Sequence, residues 1–276
     1  MSEQDTIETV PGAQLVGGVY LPAAEIHMVE WMTTGKRARE VEGKLTYQYH
    51  KLEGALKFCP PERRRVAVDI GGHIGTWSMW LVNEFDELVA FEPIPMHGDF
   101  LERNVAANAE KPDGRWRLHR CLLGDRDDSI AMHQVKTATG SAHVCAGASA
   151  KVSAEVEAAR LEHIKSKKPK SNKKMPGQPE RCAHFSGTVQ FPRRTLDSFS
   201  LDRVDFIKID VEGQELPVVT GARETILRNR PVICVEQKGW NADHVRDWNK
   251  DALNLLKSWG MREVWHFSGD HVLVWK

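Results

Sequence analysis

The sequence has no surplus of either charge: Lys and Arg number 38 and so do Asp and Glu, so no global field steers the chain toward nucleic acid or an acidic membrane. It has no apolar run approaching the roughly 18 residues that a membrane-spanning helix needs. Its opening stretch, MSEQDTIETV, is acidic and polar, so no secretory leader is expected. It has no regular cysteine framework either. Cys59, Cys121, Cys145, Cys182 and Cys234 are odd in number and scattered, as expected of reduced thiols in a cytoplasmic protein. What the 276 residues do have is 41% hydrophobic content, enough for one large core or two small ones.

Residues 1–20 show little periodicity and read as a loose arm. Pro22 is expected to open a helix through Thr34, with Ile26, Val29 and Met32 at helical spacing and Gly35 as its stop. A second helix is expected from about Lys44 to Phe58, with Leu45, Tyr49, Leu52 and Leu56 on one face and Cys59-Pro60-Pro61 ending it. From Arg65 short apolar strands alternate with helices, the pattern of a parallel sheet with crossovers. The expected strands are Val66–Ile70, Leu88–Glu92, Trp116–Leu122, Val204–Asp210 and Val232–Glu236. Between them come helices at Thr76–Glu84, Pro95–Asn108, Gln214–Arg228 and Ala242–Trp259. A closing hairpin, Arg262–Phe267 with His271–Trp275, turns at Ser268-Gly269-Asp270. The domain reading is an extension over 1–64 and a main domain over 65–276. A polar, basic insertion interrupts the latter from about Thr137 to Ser186, with six lysines between Lys165 and Lys174 and a short helix expected at Lys151–Ile164.

Three strand ends carry the chemistry. Val66-Ala67-Val68-Asp69-Ile70-Gly71-Gly72-His73-Ile74-Gly75 runs a buried strand into a glycine-rich turn at the carboxyl edge of the sheet, where open α/β folds bind ligands. Glycine lets the backbone come close to a cofactor, and Asp69 suits a cationic group. Ala90-Phe91-Glu92-Pro93 places a carboxylate at the next strand end, about 20 residues on, where it suits the hydroxyls of a ribose. Leu123-Gly124-Asp125 follows the third strand, and Asp125 suits an adenine amine. Together these fit S-adenosylmethionine (SAM), with Asp69 on its ammonium. The turn is D-x-G-x-x-x-G rather than G-x-G-x-x-G, which disfavours a nicotinamide.

The carboxyl half carries a resemblance. Thr195-Leu196-Asp197, Ile207-Lys208-Ile209-Asp210-Val211-Glu212-Gly213-Gln214-Glu215, Gly221-Ala222, Arg230-Pro231 and Glu236 follow one another. The segment over roughly residues 65–240 resembles the FkbM family of methyltransferases. That resemblance implies an α/β, Rossmann-like class I methyltransferase, with a mostly parallel seven-stranded sheet ending in an antiparallel hairpin. It implies SAM as cofactor and methylation of a hydroxyl on a small molecule or saccharide. The chain departs from the family where Gly72-His73 stands in place of Ala-Asn, and in its long insertion.

Methyl transfer from a sulfonium is an in-line displacement, so the protein aligns donor and acceptor and removes a proton. Asp210 is the first candidate to orient the acceptor or act as base, and Glu212, which reads equally as a loop-fixing residue, is the second. Lys208 lies two residues before Asp210 on the same strand face. A lysine in an apolar strand needs a partner, so it is expected to pair with a carboxylate of the cleft. His73 is a candidate base or a hydrogen-bonding loop residue, and Glu236 borders the cleft. Trp31 and Trp240 are candidates for an acceptor pocket, whereas Trp77, Trp80 and Trp259 sit where core packing accounts for them.

His143-x-Cys145 and Cys182-x-His184 flank the insertion and could clip it with zinc, but single-residue spacing is unusual for structural zinc and no metal is assigned. The lysine run reads as a solvated loop or as a contact for an anionic partner. An alternative function is ribose methylation of RNA by Asp210 with Lys238, recruiting RNA through residues 165–174. Another is a SAM-binding module without catalysis, against which the acids at Asp69, Glu92 and Asp210 argue. No Asn-Pro-Pro-Tyr motif points to base amino-methylation, and no Pro-Cys pair points to cytosine-C5 chemistry.

Overall fold

Gly17 and Gly18 join β1 (Ala13–Val16) to β2 (Val19–Pro22) in an antiparallel hairpin, and both take positive φ, 51° and 79°, as tight hairpin turns require. The computed structural model describes residues 12–23, 26–110, 115–135, 143–144, 185–211, 213–237 and 251–276. Over its described part, then, the expected loose arm is a hairpin with Val19 and Leu21 fully buried. Pro22 closes a strand instead of opening a helix, and α1 runs Ile26–Thr33. A second hairpin, β3 (Arg39–Val41) with β4 (Lys44–Thr46), takes the residues expected to begin the next helix. Glu42 and Gly43 both turn left-handed there (φ 51° and 74°), so α2 starts later and covers Tyr49–Leu56.

The alternating part follows the expected order. It comprises β5 (Val66–Ile70), α3 (Ser78–Glu84), β6 (Glu87–Phe91), α4 (Pro95–Asn108) and β7 (Arg115–His119). After an excursion come β12 (Val204–Ile209), α5 (Glu215–Thr220), α6 (Arg223–Asn229), β13 (Val232–Glu236), α7 (Asp251–Ser258), β14 (Met261–Phe267) and β15 (Asp270–Trp275). One seven-stranded sheet has the order β14-β15-β13-β12-β5-β6-β7. Its five strands from β13 to β7 are parallel, and β15 and β14 are antiparallel. The chain leaves β5 toward β7 on one side and returns through β12 toward β13 on the other, so the crevice of the sheet opens at the carboxyl ends of β5 and β12.

Strand parity separates two cores. Ala67, Phe206, Val232, Cys234 and Val272 face one side, where they pack with Trp77, Phe100 and Leu101 and also with Val19, Leu21, Met28, Met32, Leu52 and Leu56. Val68, Ile70, Ile207, Ile209, Val235 and Leu273 face the other, against Val218, Ile226, Leu253 and Leu256. The amino-terminal extension is therefore a covering layer of the sheet. Each large apolar side chain it buries contributes about 1.5–3 kcal/mol.

Two expected elements divide. The strand expected at Trp116–Leu122 ends at His119. Leu122–Leu123 (β8) leaves the main sheet to pair with β11 (Phe185–Arg194), in a second sheet ordered β10-β9-β11-β8 with β9 (Asp128–Val135) and β10 (His143–Val144). The insertion thus rises from a ladder of strands that its polar composition concealed. The helix expected at Gln214–Arg228 breaks at Gly221, which lies against the Gly124 carbonyl so closely that a Cβ would come within 1.9 Å of it. Asp197 then caps α6 through the amides of Glu224 and Thr225 (2.9 and 2.8 Å). Among the described residues no helix is long and apolar enough to cross a membrane. The helix expected at Lys151–Ile164 and the run 165–174 lie outside the described residues.

Candidate active site

The turn after β5 is tied to both neighbouring strands. The amides of Gly71 and Gly72 donate to the Phe91 carbonyl (3.0 and 3.1 Å), and the Asp210 amide donates to the Ile70 carbonyl (3.0 Å). Gly71 has φ 77°, and a Cβ there would stand 1.9 Å from the Asp210 carbonyl oxygen. The glycine is thus required for the close approach of two strand ends within the protein. His73 takes φ 50°, a left-handed conformation in which Asn, Asp and His are enriched.

Glu92 holds this turn. Its Oε2 accepts the His73 amide (3.0 Å) and its Oε1 the Ile94 amide (2.9 Å), with His97 Nδ1 3.3 Å away. Burial alone would raise its pKa. The hydrogen bond and charge of His97, the charge of His73 and the Ile94 amide outweigh that and hold the carboxyl below its usual range. His97 is fully buried and packs edge-on against the His73 ring, centroids 4.3 Å apart. His97 lies five residues past Glu92, and the motif-based reading missed it because it belongs to no strand end. His73 is a turn residue in this arrangement, held by its own amide.

Asp69 is fully buried. Its Oδ2 accepts the Ser78 hydroxyl at 2.6 Å, and its Oδ1 is 3.5 Å from Lys208 Nζ. It therefore lies beneath the turn, engaged by the protein's own groups, and not in the open cleft where an ammonium was expected to meet it. Lys208 has the carboxylate partner expected of it, and a second: Asp210 Oδ2 is also at 3.5 Å. Burial opposes its charge, but Asp210, Asp69, Glu236 and Asp270 raise its pKa above the ordinary lysine value. The side chain of Asp210 is 22% exposed, which makes it the carboxylate of this group open to an incoming molecule.

Asp125 is turned toward Arg126 Nε (3.3 Å) and Arg193 Nη1 (3.7 Å), so its carboxylate serves the base of the second sheet. Pro93 follows Glu92 at the mouth of the turn, and Gly75 packs on Leu101 of α4, whose Cα would be 3.2 Å from an added Cβ. Glu212, Lys238, Trp240, Cys145, Cys182 and His184 lie outside the described residues, and His143 is described in its backbone alone. Trp31 is exposed against Tyr47, and Trp77 and Trp80 are buried as core. Among the described residues no group of three or more His, Cys, Asp or Glu side chains is arranged to hold a metal ion. Cys59 and Cys121 are buried, and burial pushes each thiol up to about 11, which removes them as nucleophiles.

Sequence reading missed two further members of the edge. Lys51 of α2 is 2.5 Å from Asp270 Oδ2 and 3.4 Å from Glu236 Oε1. Lys51 lies in a helix with no motif, and Asp270 reads as a turn residue until β15 pairs it with Glu236.

The Methyltransferase FkbM domain family matches residues 69–263, well over half of the chain. Methyltransferase sdnD of Sordaria araneosa is 26% identical over 208 residues, which cover 68% of this chain and 79% of that protein. Methyltransferase 1 of Beauveria bassiana is 26% identical over 156 residues, covering 56% of this chain and 57% of that protein. Among solved structures, methyltransferase FkbM of Methylobacillus flagellatus matches with a TM-score of 0.45 and 17% identity, over 87% of this chain and 56% of that one. An O-methyltransferase of Bacillus cereus in complex with S-adenosylhomocysteine (SAH) matches with a TM-score of 0.42 and 14% identity, over 92% of this chain and 91% of that one. The chain thus spans little more than half the length of the Beauveria and Methylobacillus proteins, 57% and 56%.

Proposed function

The chain belongs to the FkbM methyltransferase family, and on that premise we propose that it transfers a methyl group from SAM to a hydroxyl of a small molecule or saccharide. The observation that carries this reading is the meeting of the Gly71–Gly75 turn, Glu92 and Asp210 at one crevice of the sheet. The residues fit a cationic donor. Among the described residues, four carboxylates, Asp69, Asp210, Glu236 and Asp270, surround two lysines, which leaves that group net negative. Asp69 Oδ1 and Asp270 Oδ2 are each turned to a lysine of the chain (3.5 and 2.5 Å), so the partly exposed Asp210 carboxylate is the one that faces the cleft.

Glu92, fixed by the His73 and Ile94 amides, borders the turn on the side where a ribose is expected. The bound donor would supply a methyl activated by a sulfonium. An alcohol attacks poorly until its proton is drawn off. In this reading Asp210 orients the acceptor hydroxyl and takes its proton as the oxygen–carbon bond forms. Lys208 holds Asp210 in place from below, and an in-line approach needs that fixed geometry.

The test is calorimetric titration of SAM and SAH into wild type and Glu92→Ala. Micromolar binding by wild type, abolished in the variant, is the expected result. It leads to an acceptor screen with saccharides and RNA, in which Asp210→Asn should lower kcat and leave SAH affinity within about threefold. A wild type that binds neither ligand overturns the reading. Salt-sensitive RNA methylation, lost when residues 165–174 are deleted, would replace the saccharide acceptor by RNA.

A further inference from the structure

The two lysines of the edge come from different parts of the chain. Lys208 belongs to the central strand β12, whereas Lys51 belongs to α2 of the amino-terminal extension, outside the span of the family match. Lys51 is 5% exposed, Asp270 2% and Glu236 8%. The close seat of α2 on β14 brings Lys51 this deep. At Gly54 a Cβ would stand 2.7 Å from the Trp265 ring, so a larger residue there would force the ring or the helix to shift.

The extension does not need this ion pair to dock. Val19, Leu21, Met28, Met32 and Leu52 are already buried in the shared core. Asn104 holds the Tyr20 backbone (2.7 and 2.9 Å), and Gln48 accepts the Trp77 indole N–H (2.8 Å). A buried ion pair is weak evidence for stability, because well-packed apolar residues often do as well. A lysine placed there, with its ammonium at the carboxyl edge of the parallel strands and opposite Glu236, points to the site.

We propose that Lys51 is a positioning residue of the active site: it holds the Glu236 and Asp270 carboxylates side by side beside Asp210 and so makes the amino-terminal extension part of the catalytic edge. This rests on the methyl-transfer reading above. Glu236 and Asp270 are register partners on β13 and β15, and without Lys51 two buried carboxylates would face each other. Like charges held near one another disfavour each other's ionisation, so loss of Lys51 is expected to raise the pKa of one of the two. Among the described residues, the charged and titratable groups around the pair are Lys208 and Asp210 at the end of β12, Asp69 of β5, Cys234 of β13 and, beside Lys51 on α2, His50. Burial and Asp210 already push Asp270 up, against the pull of Lys51 and Lys208, and removing Lys51 takes away the larger of those two pulls.

The experiment compares wild type, Lys51→Met, Lys51→Arg and the double variant Lys51→Met/Asp270→Asn, which keeps the fold if the single change leaves the buried carboxylates intolerable. The first readout is the carboxyl carbon-13 titration of Glu236 and Asp270. The second is SAM affinity by calorimetry between pH 6 and pH 8. In Lys51→Met one carboxyl should titrate at least about one unit higher than in wild type. SAM affinity should then fall about tenfold from pH 8 to pH 6, as expected if a cationic donor follows the charge of the edge. Lys51→Arg and the double variant should stay near the wild-type profile. Unchanged carboxyl titrations in folded Lys51→Met, or a SAM affinity as independent of pH as wild type, overturn the proposal. A wild type that binds no SAM at any pH overturns the methyl-donor reading instead, and the carboxyl titration then decides the role of Lys51 by itself.

Discussion

Lys208 and Asp69 are register partners on adjacent parallel strands, and the lysine ammonium lies 3.5 Å from the Asp69 carboxylate, both side chains being almost wholly buried. The same ammonium lies 3.5 Å from Asp210. One cation therefore ties the floor of the glycine turn to the residue read as the base. Losing it leaves the buried Asp69 carboxylate without its counter-charge, which costs about 3–5 kcal/mol. Lys208→Met is expected to lose stability of that order in urea unfolding, and Lys208→Met/Asp69→Asn should recover part of it. A Lys208→Met protein as stable as wild type would show that Asp69 and Asp210 need no counter-charge.

Asn104 joins the extension to the turn. Its Oδ1 accepts the Tyr20 amide (2.7 Å), and its Nδ2 donates to the carbonyls of Tyr20 (2.9 Å) and Ile74 (2.7 Å). Asn104→Ala leaves those backbone groups without partners, each at a cost of about 1–3 kcal/mol. The Tyr20 amide should exchange its hydrogen at least tenfold faster, and SAH affinity should fall because the turn loosens at Ile74. Unchanged exchange at Tyr20 would mean that the hairpin is held by its apolar contacts alone.

Glu263 supplies a pH dependence of stability. Burial would raise its pKa, but hydrogen bonds from Lys257 (2.7 Å) and His271 (2.7 Å), together with their charges, bring it down to about 2 from 4.5. A depressed carboxyl pKa contributes stability that is complete above the unfolded value and is lost as pH falls through the folded value. The window is therefore from about pH 4.5 down to about pH 2. At about 1.4 kcal/mol per unit the contribution is at most roughly 3.5 kcal/mol, and less after solvent screening of a side chain 26% exposed. Glu263→Gln should lower Tm at pH 7 and narrow its gap to wild type toward pH 2. An equal loss of Tm at both pH values would assign the effect to packing.

The parallel part of the fold was legible because four of its five strands are mostly apolar runs. Val66–Ile70 and Val232–Glu236 form strands with the expected bounds, and Pro95–Asn108 forms the expected helix. The extension was less legible. Leu45, Tyr49, Leu52 and Leu56 have helical spacing, yet Glu42 and Gly43 reverse the chain into a hairpin before the helix begins. The second sheet was hidden because β9 and β11 pair across a long polar stretch, and local composition says nothing about a partner some 50 residues away.

The sequence by itself determined the order of strands and helices of the main sheet, the glycine turn, the carboxylates at the ends of β5, β6 and β12, and the resemblance they carry. These are local properties, set by apolar runs and by the backbone freedom that residues such as Gly71 require. The tertiary structure alone decided how the carboxylates are used. It buried Asp69 under Ser78 and Lys208, gave Glu92 to the turn amides and turned Asp125 to Arg193. It also brought Lys51 from the extension to Glu236 and Asp270. Partners of that kind are fixed by strand register and by the closeness of helix to sheet. Lys51 and Glu236 lie 185 residues apart in the chain, and only packing brings them together.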